Sequence, residues 1–99
     1  MTTDERQKIA RQRVTVLLRE ARSNGESYSG ICRRAQERGH KVSTSTLSDI
    51  ANINKYDQVY VSAYTAYALS DLYGVSVGYL LGGDDRPKRG IIAKLFGGR

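Results

Sequence analysis

The sequence predicts an all-α fold of five helices followed by a basic C-terminal tail. Three observations carry that expectation. Apolar residues return at helical spacing in one segment after another, Ser or Thr stands where each segment should begin, and Gly or Asn stands where most of them should end. No stretch reads convincingly as a strand.

The first helix is expected from Thr2 to Ser23. Thr2 precedes Glu5 by three residues, the spacing of a capping box, and Asp4 and Glu5 complement the positive helix end. Ala10, Val14, Leu17, Leu18 and Ala21 fall on one stripe of a 3.6-residue period, and Ser23-Asn24-Gly25 closes the helix. Ser27 caps the second helix, whose inward positions are Tyr28, Ile31, Cys32 and Ala35. Arg33, Arg34, Glu37 and Arg38 lie outside, and Gly39 takes the left-handed exit.

After His40-Lys41-Val42, Ser43 caps a third helix from Thr44 to about Asn52, with Leu47 and Ile50 as a narrow apolar seam. Residues 53–60 show no sustained period and read as a connecting loop. Ser62 caps a fourth helix with Ala63, Ala66, Tyr67, Leu69, Ser70 and Tyr73 inward, ending at Gly74. Ser76 caps a last short helix containing Val77, Leu80 and Leu81. The division is thus a domain over residues 1–83 and a tail over 84–99. The tail reads either as a flexible basic extension or as a short amphipathic helix through Ile91, Ile92, Leu95 and Phe96.

Composition narrows the function. The 99 residues carry 16 basic and 10 acidic side chains, a net charge of +6, which favours a polyanion as partner. The tail, with five basic and two acidic groups, supplies half of that surplus. One cysteine, Cys32, and one histidine, His40, exclude an intramolecular disulfide and the usual Cys/His zinc sites. No apolar run spans a bilayer and no signal peptide opens the chain, so the expected location is the cytoplasm, in association with the nucleoid. Cys32 on an inward face behaves as a small hydrophobe. Accordingly, neither catalysis, a cofactor, a metal nor a small-molecule substrate is expected.

The chemistry concentrates in residues 27–52, two short capped helices separated by a Gly-containing turn. That is the layout of a helix-turn-helix, in which the second helix projects into a DNA major groove about 12 Å wide. Thr44, Ser45, Thr46 and Ser48 can exchange hydrogen bonds with base edges or phosphates, and the amides at the helix start can bind phosphate. Lys41 and Lys55 flank this helix as phosphate contacts. Ser43 reads first as a cap, and Asn52 closes the contact set.

Over residues 9–83 the chain resembles the Cro/C1-type helix-turn-helix proteins, also called the XRE family, whose domains are lambda-repressor-like and built of five helices. Ser43-Thr44-Ser45-Thr46-Leu47-Ser48-Asp49-Ile50 follows the family's reading helix. The segment Ser62-Ala63-Tyr64-Thr65-Ala66-Tyr67-Ala68-Leu69-Ser70-Asp71-Leu72-Tyr73-Gly74-Val75-Ser76 resembles its fourth helix and exit. Three features depart from the pattern. Helix two runs on through Gln36-Glu37-Arg38, Ala51 replaces an acidic residue, and Val61 stands where the family has a proline, which predicts a looser cap on helix four. The lengthened second helix is similar to that of some actinobacterial and mycobacteriophage regulators.

The resemblance implies a sequence-specific double-stranded DNA-binding regulator, repressor-like and homodimeric, with contacts at Lys41, Ser43, Thr44, Ser45, Thr46, Ser48, Asn52 and Lys55. Two rivals stand beside it: a protein-interaction module of antitoxin-like or phage-accessory type, and a nonspecific nucleoid-type DNA binder. Tyr60, Tyr64 and Tyr67, at i, i+4 and i+7, are expected to pack into the core or a dimer seam.

Overall fold

The computed structural model describes residues 2–52 and 60–83. Five helices follow in order: α1 (Thr3–Ser23), α2 (Tyr28–Glu37), α3 (Thr44–Ala51), α4 (Ala63–Tyr73) and α5 (Val77–Leu80), with no strand among the described residues. The expected connecting loop falls mostly, and the tail entirely, outside the described residues.

Each helix begins where a hydroxyl is available to satisfy an N-terminal amide. Thr2 accepts from the Glu5 amide at 3.2 Å while the Glu5 carboxylate accepts from the Thr2 amide at 3.1 Å, completing the capping box. Those bonds hold the Glu5 carboxyl below its usual value. Ser27, Ser43, Ser62 and Ser76 cap α2 to α5 in the same manner. The missing proline before α4 does not loosen its cap. Ser62 accepts from the Thr65 amide at 3.2 Å, and Gln7 of α1 grips the Val61 backbone from both sides. The Val61 amide donates to Gln7 Oε1 at 2.7 Å, and Gln7 Nε2 donates to the Val61 carbonyl at 3.3 Å.

The core is one cluster. All five α1 stripe residues, Ala10, Val14, Leu17, Leu18 and Ala21, are buried together with Ile31, Cys32 and Ala35 of α2, Leu47 and Ile50 of α3, and Leu69 and Leu80. α1 packs against α3 and α5, while α2 packs against α3 and α4. Thr15, also buried, donates its hydroxyl to the Ile50 carbonyl at 3.3 Å, tying the middle of α1 to the end of α3.

The α4 stripe requires a correction. Ala66, Leu69 and Tyr73 are buried as expected, but Thr65 and Ala68 join them, whereas Ala63 and Tyr67 point outward. Tyr60, Tyr64 and Tyr67 are exposed by 59%, 75% and 54%, so the tyrosine stripe is not core. The inward face of α4 is narrow because Ala66 and Ala68 let the helix approach its neighbours closely. The bulky rings have room only on the other side.

Candidate functional site

The surface built by α2, the turn over residues 38–43 and α3 gathers most of the residues singled out in the sequence. α2 ends at Glu37, and Gly39 turns the chain at φ +87°. Val42, 6% exposed, anchors the turn in the core, so Lys41 and Ser43 on either side of it are left in solvent. Leu47 and Ile50 are fully buried and fix the roll of α3, each by about 1.5–3 kcal/mol of apolar burial. With those two inward, Thr44, Ser45 and Ser48 are exposed, and so is Asn52 at the C-terminal cap.

The hydroxyls divide into two groups. Ser43 Oγ accepts from the Thr46 amide at 3.2 Å and lies 2.8 Å from Thr46 Oγ1, so these two side chains are committed to the cap. Ser45 Oγ sits 3.2 Å from Ser43 Oγ, and the Thr44 and Ser48 hydroxyls make no hydrogen bond among the described residues. The Thr44 and Ser45 amides are likewise left for an outside acceptor. No acidic residue occupies the first turn of α3. Lys41, Ser43, Thr44 and Thr46 border the turn together, while Ser45, Ser48 and Asn52 are exposed along α3 and at its end; Lys55 lies outside the described residues.

Two residues join this surface that the sequence reading left aside. A shallow depression of about 450 Å³ between α2 and the start of α3 is walled by Ser29, Arg33, Gln36, Ser43 and Thr44. A neighbouring one is walled by Gln36, Lys41, Ser43 and Thr46. Arg33 and Gln36 face α3 from one side of α2. Their i, i+3 spacing on a helix whose opposite face is Ile31, Cys32 and Ala35 was a usable signal.

The remaining arginines of α2 are occupied. Arg34 pairs with Glu26 and donates to the Tyr73 hydroxyl at 2.9 Å, and that hydroxyl donates to Glu26. Burial and the neighbouring Glu26 carboxylate push the Tyr73 hydroxyl above its ordinary pKa. Arg38 meets Asp71 at 3.1 Å and His40 Nε2 meets the same carboxylate at 2.9 Å, locking the turn to α4. The His40 hydrogen bond, aided by the Arg38 charge, holds the Asp71 carboxyl below its usual range.

A carboxyl with a depressed folded-state pKa contributes stability above its unfolded value, near 4, and loses it as pH falls through the folded value. Asp71→Asn is therefore expected to melt below the wild type at pH 7, with the gap closing as pH drops past 4. A gap that does not narrow as pH falls below 4 in thermal unfolding would contradict the assignment.

Cys32 is buried, and burial raises its thiol pKa, as for an inert core cysteine. Among the described residues no three His, Cys, Asp or Glu side chains form a metal-binding group, and no helix is long and apolar enough to cross a membrane. No family model, no curated protein and no solved structure matches the chain.

Proposed function

We propose that the chain is a sequence-specific double-stranded DNA-binding regulator in which α2, the turn and α3 act as a helix-turn-helix and α3 enters the major groove. The observation that carries this reading is the hydroxyl-bearing face of Thr44, Ser45 and Ser48, with no acidic residue in the first turn of α3, held outward by the burial of Leu47 and Ile50. Short hydroxyl side chains allow close approach to base edges, Thr methyls fit thymine methyls, and the free first-turn amides suit a phosphate oxygen. Lys41 and Arg33 flank that face and supply backbone contacts. Asn52, at the far end of α3, stands about 12 Å from Thr44 at 1.5 Å per residue, within one groove width.

A lone domain reading a few base pairs discriminates weakly, so the protein works as a homodimer on two half-sites about one helical turn apart. The resemblance to the Cro/C1-type proteins supports the same reading. Repression and a place on the nucleoid follow as its biological setting.

The test is to incubate the purified protein with random and genomic duplexes at physiological salt, then recover and sequence the bound DNA. A recovered motif is expected, palindromic if two copies bind. Retention without enrichment would leave only nonspecific binding, and no retention would remove DNA as the partner. Lys41→Ala is expected to weaken binding to every duplex and to flatten the slope of log affinity against log salt by about one unit. A loss confined to one sequence would show instead that Lys41 reads bases.

A further inference from the structure

One hollow of the molecule is walled mainly by aliphatic side chains. It lies between α1 and α5, measures about 150 Å³, and is lined by Val16, Leu17, Val75, Tyr79 and Leu80, with Gln12 and Arg13 beside them. Arg13 is already engaged there, donating to the Tyr79 carbonyl at 2.8 Å and stacking on the Tyr79 ring. Val16 is 55% exposed, and it is the one aliphatic side chain among the large hydrophobics exposed in the described residues. The larger groove beside α4 is no such seat, because His40, Lys41 and Asp71 line it together with Tyr64 and Tyr67.

We infer that the hollow between α1 and α5 seats the C-terminal segment of the same chain, with the Phe96 ring as its anchor. Residues 84–99 lie outside the described residues. By sequence they hold one run of large apolar side chains, Ile91, Ile92, Leu95 and Phe96, between Gly90 and Gly97, and Phe96 is the only phenylalanine of the chain. An apolar cavity of about 150 Å³ has room for a benzene-sized ring. Seated there, the ring covers Val16 and lies beside Tyr79, where aromatic pairs attract.

The path to the hollow is short. A Cβ on Gly82 would stand 2.4 Å from the Arg6 carbonyl oxygen, so the chain leaves the core pressed against α1. Arg13 follows Arg6 by about two turns, on the same side of α1 to within about 20° and only about 10 Å along the axis. The stretch from Gly83 to Phe96, about thirteen residues, covers about 20 Å even on a wholly helical course and more if extended. It therefore reaches the hollow with chain to spare.

Tethering also decides whose segment enters. A group held on a short linker meets its site at an effective concentration in the millimolar range, so in micromolar protein the chain's own segment outcompetes that of a second copy. The hollow shares no residue with the proposed DNA surface, so the inference stands or falls independently of that function.

The test is NMR of the full-length chain with labelled Val and Leu methyl groups, at about 0.1 mM, below the effective concentration of the tether. Nuclear Overhauser contacts are expected from the Phe96 ring to methyls of Val16, Leu17, Val75 or Leu80, with ring-current shifts on those beneath the ring. Phe96→Ala is expected to remove the shifts and to lower the melting temperature by about 4–8 °C. Val16→Glu, which sets a carboxylate at an exposed helical position beside the hollow, is expected to displace the ring. Because both substitutions break one contact, the double variant is expected to melt no lower than the less stable single variant.

A Phe96 ring that touches none of these methyls would overturn the inference, and so would contacts to Tyr64 or Tyr67 in their place. Losses that simply add in the double variant would also overturn it. A mixture of differently labelled copies gives the last outcome: contacts found between copies, and not within one, would assign the hollow to a second chain.

Discussion

Replacing both Thr44 and Ser45 with alanine is expected to weaken binding to the selected DNA by about 1–3 kcal/mol, roughly five- to 150-fold, while binding to random duplex hardly changes. Both side chains are exposed, and neither serves as the cap. Ser43 keeps its bonds to the Thr46 amide and hydroxyl, losing only the 3.2 Å contact with Ser45. Alanine is also the better helix former, so α3 should hold or gain stability. The variant thus removes base-reading hydroxyls and thymine-directed methyls without disturbing Lys41 or Arg33. Titration of selected and random duplexes at one salt concentration separates the outcomes. An equal loss on both would mean that α3 touches only the DNA backbone.

The helices were legible because their signals are local. Ser27, Ser43, Ser62 and Ser76 stand where the sequence placed caps, and each accepts from the amide three residues on. The α1 stripe was legible for a related reason, since five apolar residues on one period admit only one inward face. α4 was harder to read. Counting its tyrosines as apolar misplaced Tyr67, because a tyrosine suits a core and a surface equally well and only the space left by Thr65, Ala66 and Ala68 decides between them.

Contacts distant in sequence were not legible. Gln7 with Val61, Arg13 with Tyr79 and Arg38 with Asp71 are joined by packing and by no periodicity. The Arg13 guanidinium lies 4.0 Å from the centre of the Tyr79 ring and also donates to that residue's carbonyl at 2.8 Å. Such pairs decide which arginines remain for a partner. The sequence treated Arg33, Arg34 and Arg38 alike, whereas Arg34 and Arg38 are tied to Glu26 and Asp71 and Arg33 is not. The candidate surface was thus readable along α3, where neighbours in sequence are neighbours in space. It was not readable across α2, where Gln36 comes beside Ser43 and Thr46 only through the turn.

Gly82→Ala is expected to cost about 2–5 kcal/mol of folding stability, by two separable effects. The residue sits at φ +81°, where a side chain is strained by about 1–2 kcal/mol whatever its surroundings. An added Cβ would also lie 2.4 Å from the Arg6 carbonyl oxygen and 3.2 Å from its carbon. Both are backbone atoms within α1, so no side chain can swing aside, and α1 must separate from the α5 exit. Gly39 supplies the control. Its φ is +87° but nothing lies within 4 Å of its virtual Cβ, so Gly39→Ala should show the backbone strain alone. Urea denaturation of the two variants measures the difference, expected at about 1–3 kcal/mol from the forced separation. Equal losses would mean that α1 yields freely at Arg6 and that the close approach contributes nothing. Because α1 also holds α3 through Thr15 and Ile50, a folded Gly82→Ala is expected to keep its DNA selectivity, its weakness lying at the opposite end of α1 from the turn into α2.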